Sequence, residues 1–98
     1  MEMKIEHGAS MVVYVEGRLD TVTSVEFDAQ LKKEEIKEDL VVLDFSKVEY
    51  ISSAGLRALL SLKRSLDAQG KKLEIHQIND VVREIFNVTG FINALTVK

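Results

Sequence analysis

The chain has 98 residues, of which 46% are hydrophobic and 30% are charged, and its formal net charge is -3 at pH 7. This composition predicts one globular domain over residues 1–98 and excludes a disordered or fibrous protein, and no apolar run is long enough to span a bilayer. The negative charge argues against nucleic acid as a partner, and the absence of cysteine excludes disulfides and thiolate catalysis.

The first residues predict a β-hairpin. Met3 and Ile5 alternate with charged residues, which is the period of a half-buried strand, and residues 8–10 supply a turn. The nearly continuous apolar run 11–15 is typical of a second, more buried strand, which residues 17–21 end. Because the N-terminus lacks the basic start and the apolar centre of a secretion signal, we expect a cytoplasmic protein.

A first helix is expected to follow and to run to about Lys37. It has three candidate caps: Asp20, Thr21 and Thr23. Phe27 and Leu31 share one face of this helix, since successive residues turn by about 100°. Val25 and Ala29 point almost the opposite way. We expect the larger pair to be buried and the smaller pair to form an exposed apolar patch, either ordinary surface or a partner contact.

The middle of the chain predicts a central strand and a second helix. Residues 40–45 form an apolar run broken only by Asp44, which is typical of a strand covered on both faces. We expect a loop over residues 46–53 and then a helix that ends at Gly70. The leucines of this helix recur at helical spacing: Leu56, Leu59, Leu60, Leu62 and Leu66.

The last part of the chain predicts one more strand and one more helix. Residues 72–77 alternate as a strand does, Asn79 and Asp80 can cap the next helix, and Gly90 can end it. Residues 94–97 can add a short edge strand. This order of elements implies an α/β fold with a mixed sheet of four or five strands, parallel in its later part, and helices mainly on one face.

The most informative segment is residues 50–60, where two hydroxyls and a glycine lie at the change from strand to helix. A hydroxyl at a helix start lies beside unpaired N–H groups and the positive end of the helix dipole. Ser52 or Ser53 can therefore cap the helix or accept a phosphoryl group. Because sites form past the carboxyl ends of parallel strands, we expect Asp20 to lie near both serines.

No metal or cofactor site is predicted. His7 and His76 are too few for a metal centre, and neither belongs to a serine–histidine–acid arrangement. Asp44 has no second carboxylate at ligand spacing and is better explained as an acceptor that anchors its loop. No general base and no phosphate-binding glycine loop is visible near Ser52 and Ser53, so we expect no enzymatic activity.

Three parts of the chain form a recognisable set. Residues 17–20 read Gly-Arg-Leu-Asp, residues 42–45 and 53–56 read Val-Leu-Asp-Phe and Ser-Ala-Gly-Leu, and residues 88–91 read Val-Thr-Gly-Phe. Their order and spacing resemble those of the STAS domain of bacterial anti-sigma factor antagonists, over essentially the whole chain. The resemblance implies a STAS-like fold.

The resemblance also implies a site. The central motif of that family usually reads Asp-Ser-x-Gly-Leu, and its serine is phosphorylated by a partner kinase that is also an anti-sigma factor. The matching serine is Ser53, with Ser52, which replaces the usual aspartate, as the second choice. The implied partner contacts are Asp20, Ser52, Ala54, Gly55 and Arg57.

The function implied by the resemblance is a partner switch without a cofactor. The unphosphorylated protein binds the anti-sigma factor and frees a sigma factor, and phosphorylation of Ser53 ends this binding. A phosphoserine phosphatase is the second implied partner. Phosphorylation adds about -1.5 to -2 charges, which an interface built over a neutral hydroxyl would have to desolvate.

Each site residue also has a simpler interpretation, and two other functions stay open. Ser53 and Asp20 can be helix caps, Gly55 can let the helix approach the sheet, and Arg57 can be a solvated surface residue. One alternative function is a non-switching STAS subunit of a larger assembly, such as a stressosome-like or lipid-transport complex. The other is an enzyme or phosphocarrier with Ser52 or Ser53 as its nucleophile.

Overall fold

The computed structural model describes residues 1–98, and the predicted α/β fold is confirmed. The strands are β1 (Glu2–Glu6), β2 (Met11–Leu19), β3 (Leu40–Ile51), β4 (Lys72–His76) and β5 (Thr96–Val97). The helices are α1 (Thr23–Lys33), α2 (Ser53–Ala68), α3 (Asp80–Thr89) and α4 (Phe91–Ala94). Only α4 was not predicted, because a helix of 4 residues is too short to show a periodic pattern.

The strands form one mixed sheet in the order β1-β2-β3-β4-β5. β1 pairs with β2 antiparallel, and each later pair is parallel. Alternate residues of β2 and β3 are buried on one face: Met11, Val13, Val15, Val41, Leu43 and Phe45. They belong to one core cluster with buried helical residues such as Phe27, Leu59 and Phe86, so the helices cover one face of the sheet, as predicted.

The opposite face of the sheet has no helical layer. The expectation that residues 40–45 are covered on both faces was therefore wrong. Tyr14 on this face is 39% exposed. Val42 is only 8% exposed there, although no helix packs on it, because it lies in register between Val12 and Glu74 of the neighbouring strands. A continuous apolar run can therefore mark a strand that its neighbouring strands crowd, even where no second layer covers the sheet.

The two central strands are longer than predicted. β2 runs to Leu19 instead of ending after Val15, and β3 runs to Ile51 through most of the expected loop. The two strands pair with each other over this extra length, with register shifts after Tyr14 and Gly17. Gly17 has a φ of 100°, which glycine adopts at little cost. Register shifts between paired strands bend the strand that contains them. Because of this extension, the carboxyl ends of both strands lie next to each other at the same end of the sheet.

α3 covers the part of β3 that β4 leaves unpaired. β4 pairs with residues 40–44 only, and the side-chain Nδ2 of Asn79, just before α3, donates to the Val48 carbonyl over 2.9 Å. The Oδ1 of the same side chain accepts from the Val82 N–H over 2.8 Å, so Asn79 is confirmed as the cap. Gly90 ends α3 with a φ of 79°, as predicted.

α1 presents the predicted face to the core. Phe27 and Leu31 are buried. Val25 and Ala29 are exposed, so the expected division of this helix is confirmed. α1 ends at Lys33, about one turn earlier than predicted, because the next residue has an extended backbone with φ -83° and ψ 132°.

Candidate functional site at the ends of β2 and β3

The carboxyl ends of β2 and β3 meet at one place, which we call the strand-end corner (residues 18–25 and 50–57). Leu19 lies opposite Ile51 in the sheet register. The Ser52 N–H donates to the Leu19 carbonyl, with 2.9 Å between nitrogen and oxygen. Asp20 and the two serines therefore continue from strand ends that are hydrogen-bonded to each other, which is the proximity that the sequence predicts.

Ser52 is the cap of α2. Its backbone is extended, with φ -92° and ψ 174°, and its hydroxyl oxygen accepts from the Gly55 N–H over 3.3 Å. Its carbonyl accepts from the Leu56 N–H over 2.9 Å, which starts the helical hydrogen bonds. The side chain of Ser52 is thus committed to the local fold, and only half-buried.

Ser53 is the first residue of α2 and is exposed. Its hydroxyl has no hydrogen-bond partner in the protein, in contrast to that of Ser52. The N–H groups of Ser53 and the half-buried Ala54 precede the helical hydrogen bonds and have no protein acceptor either. The first turn of α2 contains no acidic residue. Free donors and the helix dipole therefore favour a negative charge beside the Ser53 hydroxyl.

Gly55 lets α2 approach the ends of both strands. It is buried, and a Cβ added to it would lie 2.6 Å from the Leu19 carbonyl oxygen and 2.7 Å from Cγ1 of Ile51. Such distances are too short for a real side chain, so any larger residue would push the helix away from the sheet. The simpler interpretation of Gly55 as a packing residue therefore has direct structural support, and its role in partner binding stays a prediction.

Asp20 organises the start of α1. Its Oδ1 accepts from the Val22 N–H over 3.1 Å and from the Thr23 N–H over 3.0 Å. The Thr23 hydroxyl accepts from the Asp20 N–H over 2.8 Å and donates to the Arg18 carbonyl over 2.7 Å. The hydrogen bonds that the Asp20 carboxylate accepts, above all the one from the Thr23 backbone N–H, lower the pKa of Asp20. Asp20 is thus an ionised cap, and its contact with a partner stays a prediction.

Two arginines lie at the strand-end corner. Arg57 is exposed, follows Ser53 by one helical turn on the same side of α2, and forms no salt bridge within the protein. Arg18 stacks on Tyr50, with 4.5 Å from the guanidinium carbon to the ring centroid. The Arg18–Tyr50 pair was not predicted from the sequence, because Arg18 faces Tyr50 only through the β2–β3 register.

An exposed apolar patch begins at the same corner. The patch consists of Val22, which is 78% exposed, Val25, which is 69% exposed, and Ala29. Val22 was missing from the predicted patch, because it precedes the helical pattern of α1. α1 packs beside α2, so the patch lies on the helix that neighbours Ser53.

The rest of the molecule offers no competing metal centre. No three side chains of the types His, Cys, Asp and Glu are grouped so that they could hold a metal ion. His7 and His76 instead form hydrogen bonds with glutamates. Asp44 accepts from the Ser46 N–H over 2.9 Å, as expected of an anchoring side chain. None of the helices combines the length and the apolar character that a membrane crossing requires.

Comparison with known families places this geometry in context. The model of the STAS domain family matches residues 1–98. The chain belongs to the STAS domain family. BtrV of Bordetella bronchiseptica, which is named as an anti-sigma factor antagonist, is 31% identical to this STAS domain over 88 residues, or 89% of this chain and 76% of BtrV. The anti-sigma-B factor antagonist of Listeria monocytogenes is 24% identical over 99 residues, which cover 100% of this chain and 87% of that protein.

Solved structures show the same fold. The anti-sigma factor antagonist SpoIIAA in its unphosphorylated form superposes with a TM-score of 0.82 and 17% identity, over 99% of this chain and 88% of that chain. Bacillus SpoIIAA in its phosphorylated form superposes with a TM-score of 0.70 and 15% identity, over 99% of this chain and 91% of that chain. At these identities the similarity establishes the STAS fold of this chain.

Proposed function

We propose that this STAS domain is an anti-sigma factor antagonist that acts as a partner switch. Unphosphorylated, it binds an anti-sigma factor that is also a serine kinase, and a sigma factor is released. Phosphorylation of Ser53 by that kinase ends the binding, and a phosphoserine phosphatase restores it. The antagonist names of BtrV and of the Listeria relative support this function. The observation that carries the site assignment is the exposed, unbonded hydroxyl of Ser53 at the start of α2.

The contrast between the two serines supports Ser53 as the acceptor. A kinase must reach the hydroxyl and remove its proton, which is simplest for a side chain that is exposed and free of other hydrogen bonds. Ser53 meets both conditions, whereas the Ser52 oxygen caps α2 through the Gly55 N–H. Phosphorylation of Ser52 would have to break this cap, at a cost of about 1 kcal/mol.

The start of α2 is suited to keep a phosphate without refolding. The N–H groups of Ser53 and Ala54 are free to donate, the helix dipole is favourable, and no carboxylate lies in the first turn. Arg57, one turn further on, has no other ionic partner and can reach the same phosphate. The physical effect of phosphorylation is therefore a local change of charge.

A local charge is enough to end an association that covers the corner. In the proposed complex the partner covers Ser53 together with the apolar patch of Val22, Val25 and Ala29. Burial of a phosphate dianion in such an interface costs several kcal/mol unless the partner supplies matching cations. Asp20, Ala54 and Gly55 contribute mainly by fixing the shape of this surface, and Ser52 by fixing the direction of α2.

The same proposal covers activity and location. We propose a binding protein without catalysis of its own, because BtrV and the Listeria relative are named as antagonists of anti-sigma factors. We also propose that it works in the cytoplasm, where the released sigma factor acts. The names of the relatives favour this switch over a non-switching subunit of a larger assembly.

Affinity capture followed by phosphorylation tests the proposal. The unmodified protein should retain an anti-sigma factor kinase from a lysate of the source cells. Incubation with this kinase and ATP should place phosphate on Ser53, as read by mass spectrometry. Ser53→Ala should abolish phosphorylation, whereas Ser61→Ala, an exposed serine on the same helix, should not. Phosphate found only on Ser46, Ser61 or Ser65 would refute the site assignment.

A charge at position 53 tests the switch itself. Ser53→Asp should weaken binding to the captured kinase by about tenfold or more, which corresponds to about 1.4 kcal/mol, by calorimetry. Ser61→Asp is the matched control and should leave the affinity unchanged. Equal affinities of the wild type and Ser53→Asp would mean that the partner does not cover this corner.

A further inference from the structure

The amino end of the sheet, opposite the strand-end corner, carries a histidine between two carboxylates. His7 lies in the turn between β1 and β2, and Glu34 and Glu38 lie in the connection from α1 to β3. The Nδ1 atom of His7 lies 2.8 Å from a carboxylate oxygen of Glu38. The Nε2 atom lies 2.8 Å from a carboxylate oxygen of Glu34. The ring thus bridges two acids that belong to the same connection.

Both contacts are hydrogen bonds only when the ring carries two protons. An ionised carboxylate can only accept, and a neutral imidazole has a single N–H, whereas the imidazolium has one on each nitrogen. Loss of one proton turns one of the two contacts into an approach of two lone pairs. The carboxylate on that side then loses its donor on the ring and is repelled from it.

The connection is fixed at this place by further hydrogen bonds. The Glu38 side chain is only 7% exposed, and its Oε2 also accepts from the Gly8 N–H over 3.1 Å. The main-chain carbonyl of Glu38 accepts from the Lys71 ammonium over 2.8 Å. Glu34 is more exposed, at 32%, and bonds to the His7 ring. The Glu34 end of the connection therefore depends most on His7.

We propose that His7 is a proton-dependent clamp, which holds the α1–β3 connection against the β1–β2 turn and releases its Glu34 end when the ring loses a proton. The clamp ties down the C-terminal end of α1, because Glu34 is the residue that directly follows this helix. Release of the clamp gives the segment 34–37 more freedom while the sheet and the core stay intact. The proposal does not depend on the function assigned to Ser53.

The electrostatics of the cluster agree with the geometry. Hydrogen bonds to Glu34 and then to Glu38 raise the pKa of His7 above its ordinary value of 6.5. Burial acts to raise the pKa of Glu38, but hydrogen bonds from backbone N–H groups and from His7 outweigh it and lower the net pKa below its ordinary 4.5. Lys71 contacts the same connection, while Lys4 and Glu6 on β1 pair with each other at 3.6 Å.

The sign of the pH dependence follows from these shifts. A group with a raised folded-state pKa adds stability that is complete below its unfolded pKa and is lost as the pH rises through the folded pKa. The contribution of His7 is therefore lost on the alkaline side. The contribution of Glu38, with a lowered pKa, is lost on the acidic side as the pH falls through its folded value. The clamp is closed between these two limits.

Nitrogen-15 NMR of the imidazole ring tests the protonation state directly. Over a titration from about pH 5 to about pH 9, both ring nitrogens of His7 should be protonated below a midpoint that lies above 6.5. Glu34→Gln should lower this midpoint, because a neutral amide stabilises the imidazolium less. A wild-type midpoint at or below 6.5 would overturn the clamp.

Amide hydrogen exchange tests the release. After correction for intrinsic exchange rates, protection of the Glu34 amide, which donates to the Leu31 carbonyl over 3.2 Å, should fall as the pH passes the His7 midpoint, and His7→Gln should remove this dependence. Linkage limits this fall in protection to about tenfold for each pH unit by which the His7 midpoint with the clamp closed exceeds the His7 midpoint with the clamp released. The midpoint from NMR and the fall from hydrogen exchange must therefore agree. His76→Gln, which alters a histidine bonded to Glu74 on β4, is the control and should leave exchange of the Glu34 amide unaffected. If His7→Gln does not fold, Glu34→Gln supplies the same comparison. An unchanged pH dependence in a folded His7 or Glu34 variant would refute the proposal.

Discussion

The two ends of the sheet differ in how their polar side chains are satisfied. At the amino end, His7, Glu34 and Glu38 bond to one another and to the neighbouring backbone. At the strand-end corner, the Ser53 hydroxyl and two N–H groups at the start of α2 have no protein partner. Exposed groups lose little by bonding to water and remain available to a ligand. In this fold, the polar groups of one end are bonded to one another, and the other end has free groups, as the proposed recognition site requires.

The same contrast exists within the strand-end corner, between neighbouring serines. The Ser52 hydroxyl accepts the capping hydrogen bond of α2, whereas the Ser53 hydroxyl is exposed to solvent. Asp20 and Gly55 resemble Ser52, since both serve the local fold. The proposed recognition site thus consists of a few free groups on a rigid support. Substitutions that affect only the support or only the free group can separate the two roles.

The largest effect is expected from Gly55→Ala, which would break the support. The added methyl would overlap the Leu19 carbonyl oxygen at 2.6 Å, and we expect a loss of about 2–3 kcal/mol in the free energy of unfolding. Urea unfolding measures this loss. Gly8→Ala is the control, because its Cβ would lie 3.8 Å from the nearest atom, and it should cost about 0.5 kcal/mol or less. Equal losses for both variants would show that α2 can move away from the strands at no cost.

A smaller effect should separate the two serines. Ser52→Ala removes the cap of α2 and should lower the free energy of unfolding by about 1 kcal/mol. Ser53→Ala removes an unbonded, exposed hydroxyl and should change it by less than about 0.5 kcal/mol. Chemical denaturation of both variants under the same conditions measures the difference. A larger loss for Ser53→Ala would make Ser53 the structural hydroxyl and weaken its assignment as the phosphoacceptor.

The smallest effect concerns acid. Because the pKa of Asp20 is lowered from 3.8 in the folded state, its contribution is present above that pH and is lost as the pH falls through the folded value. Asp20→Asn keeps an acceptor oxygen but does not titrate, so its stability should depend less on pH below about 4 than that of the wild type. Urea unfolding at a series of acidic pH values measures both slopes. Parallel slopes would contradict an ionised cap at Asp20.

Sequence alone determined the features that depend on neighbouring residues. The order of the elements, the cap at Asn79, the end of α3 at Gly90 and the buried face of α1 all follow from local periodicity and turn chemistry. The adjacency of Ser52 and Ser53 to the start of α2 follows in the same way, because a hydroxyl before an apolar helical pattern is a local signal. The approach of Asp20 to this corner was predicted from the topology of parallel strands.

Tertiary structure alone decided the features that depend on pairing across the sheet. β3 continues to Ile51 because β2 pairs with it, although its polar residues predicted a loop. Gly55 is a packing residue because it faces Leu19, and His7 bridges Glu34 and Glu38 across about 30 positions of sequence. Such contacts form between residues far apart in the chain, so no local pattern records them. The family resemblance already ranked Ser53 above Ser52, but only three-dimensional geometry shows which hydroxyl is bonded and which is free.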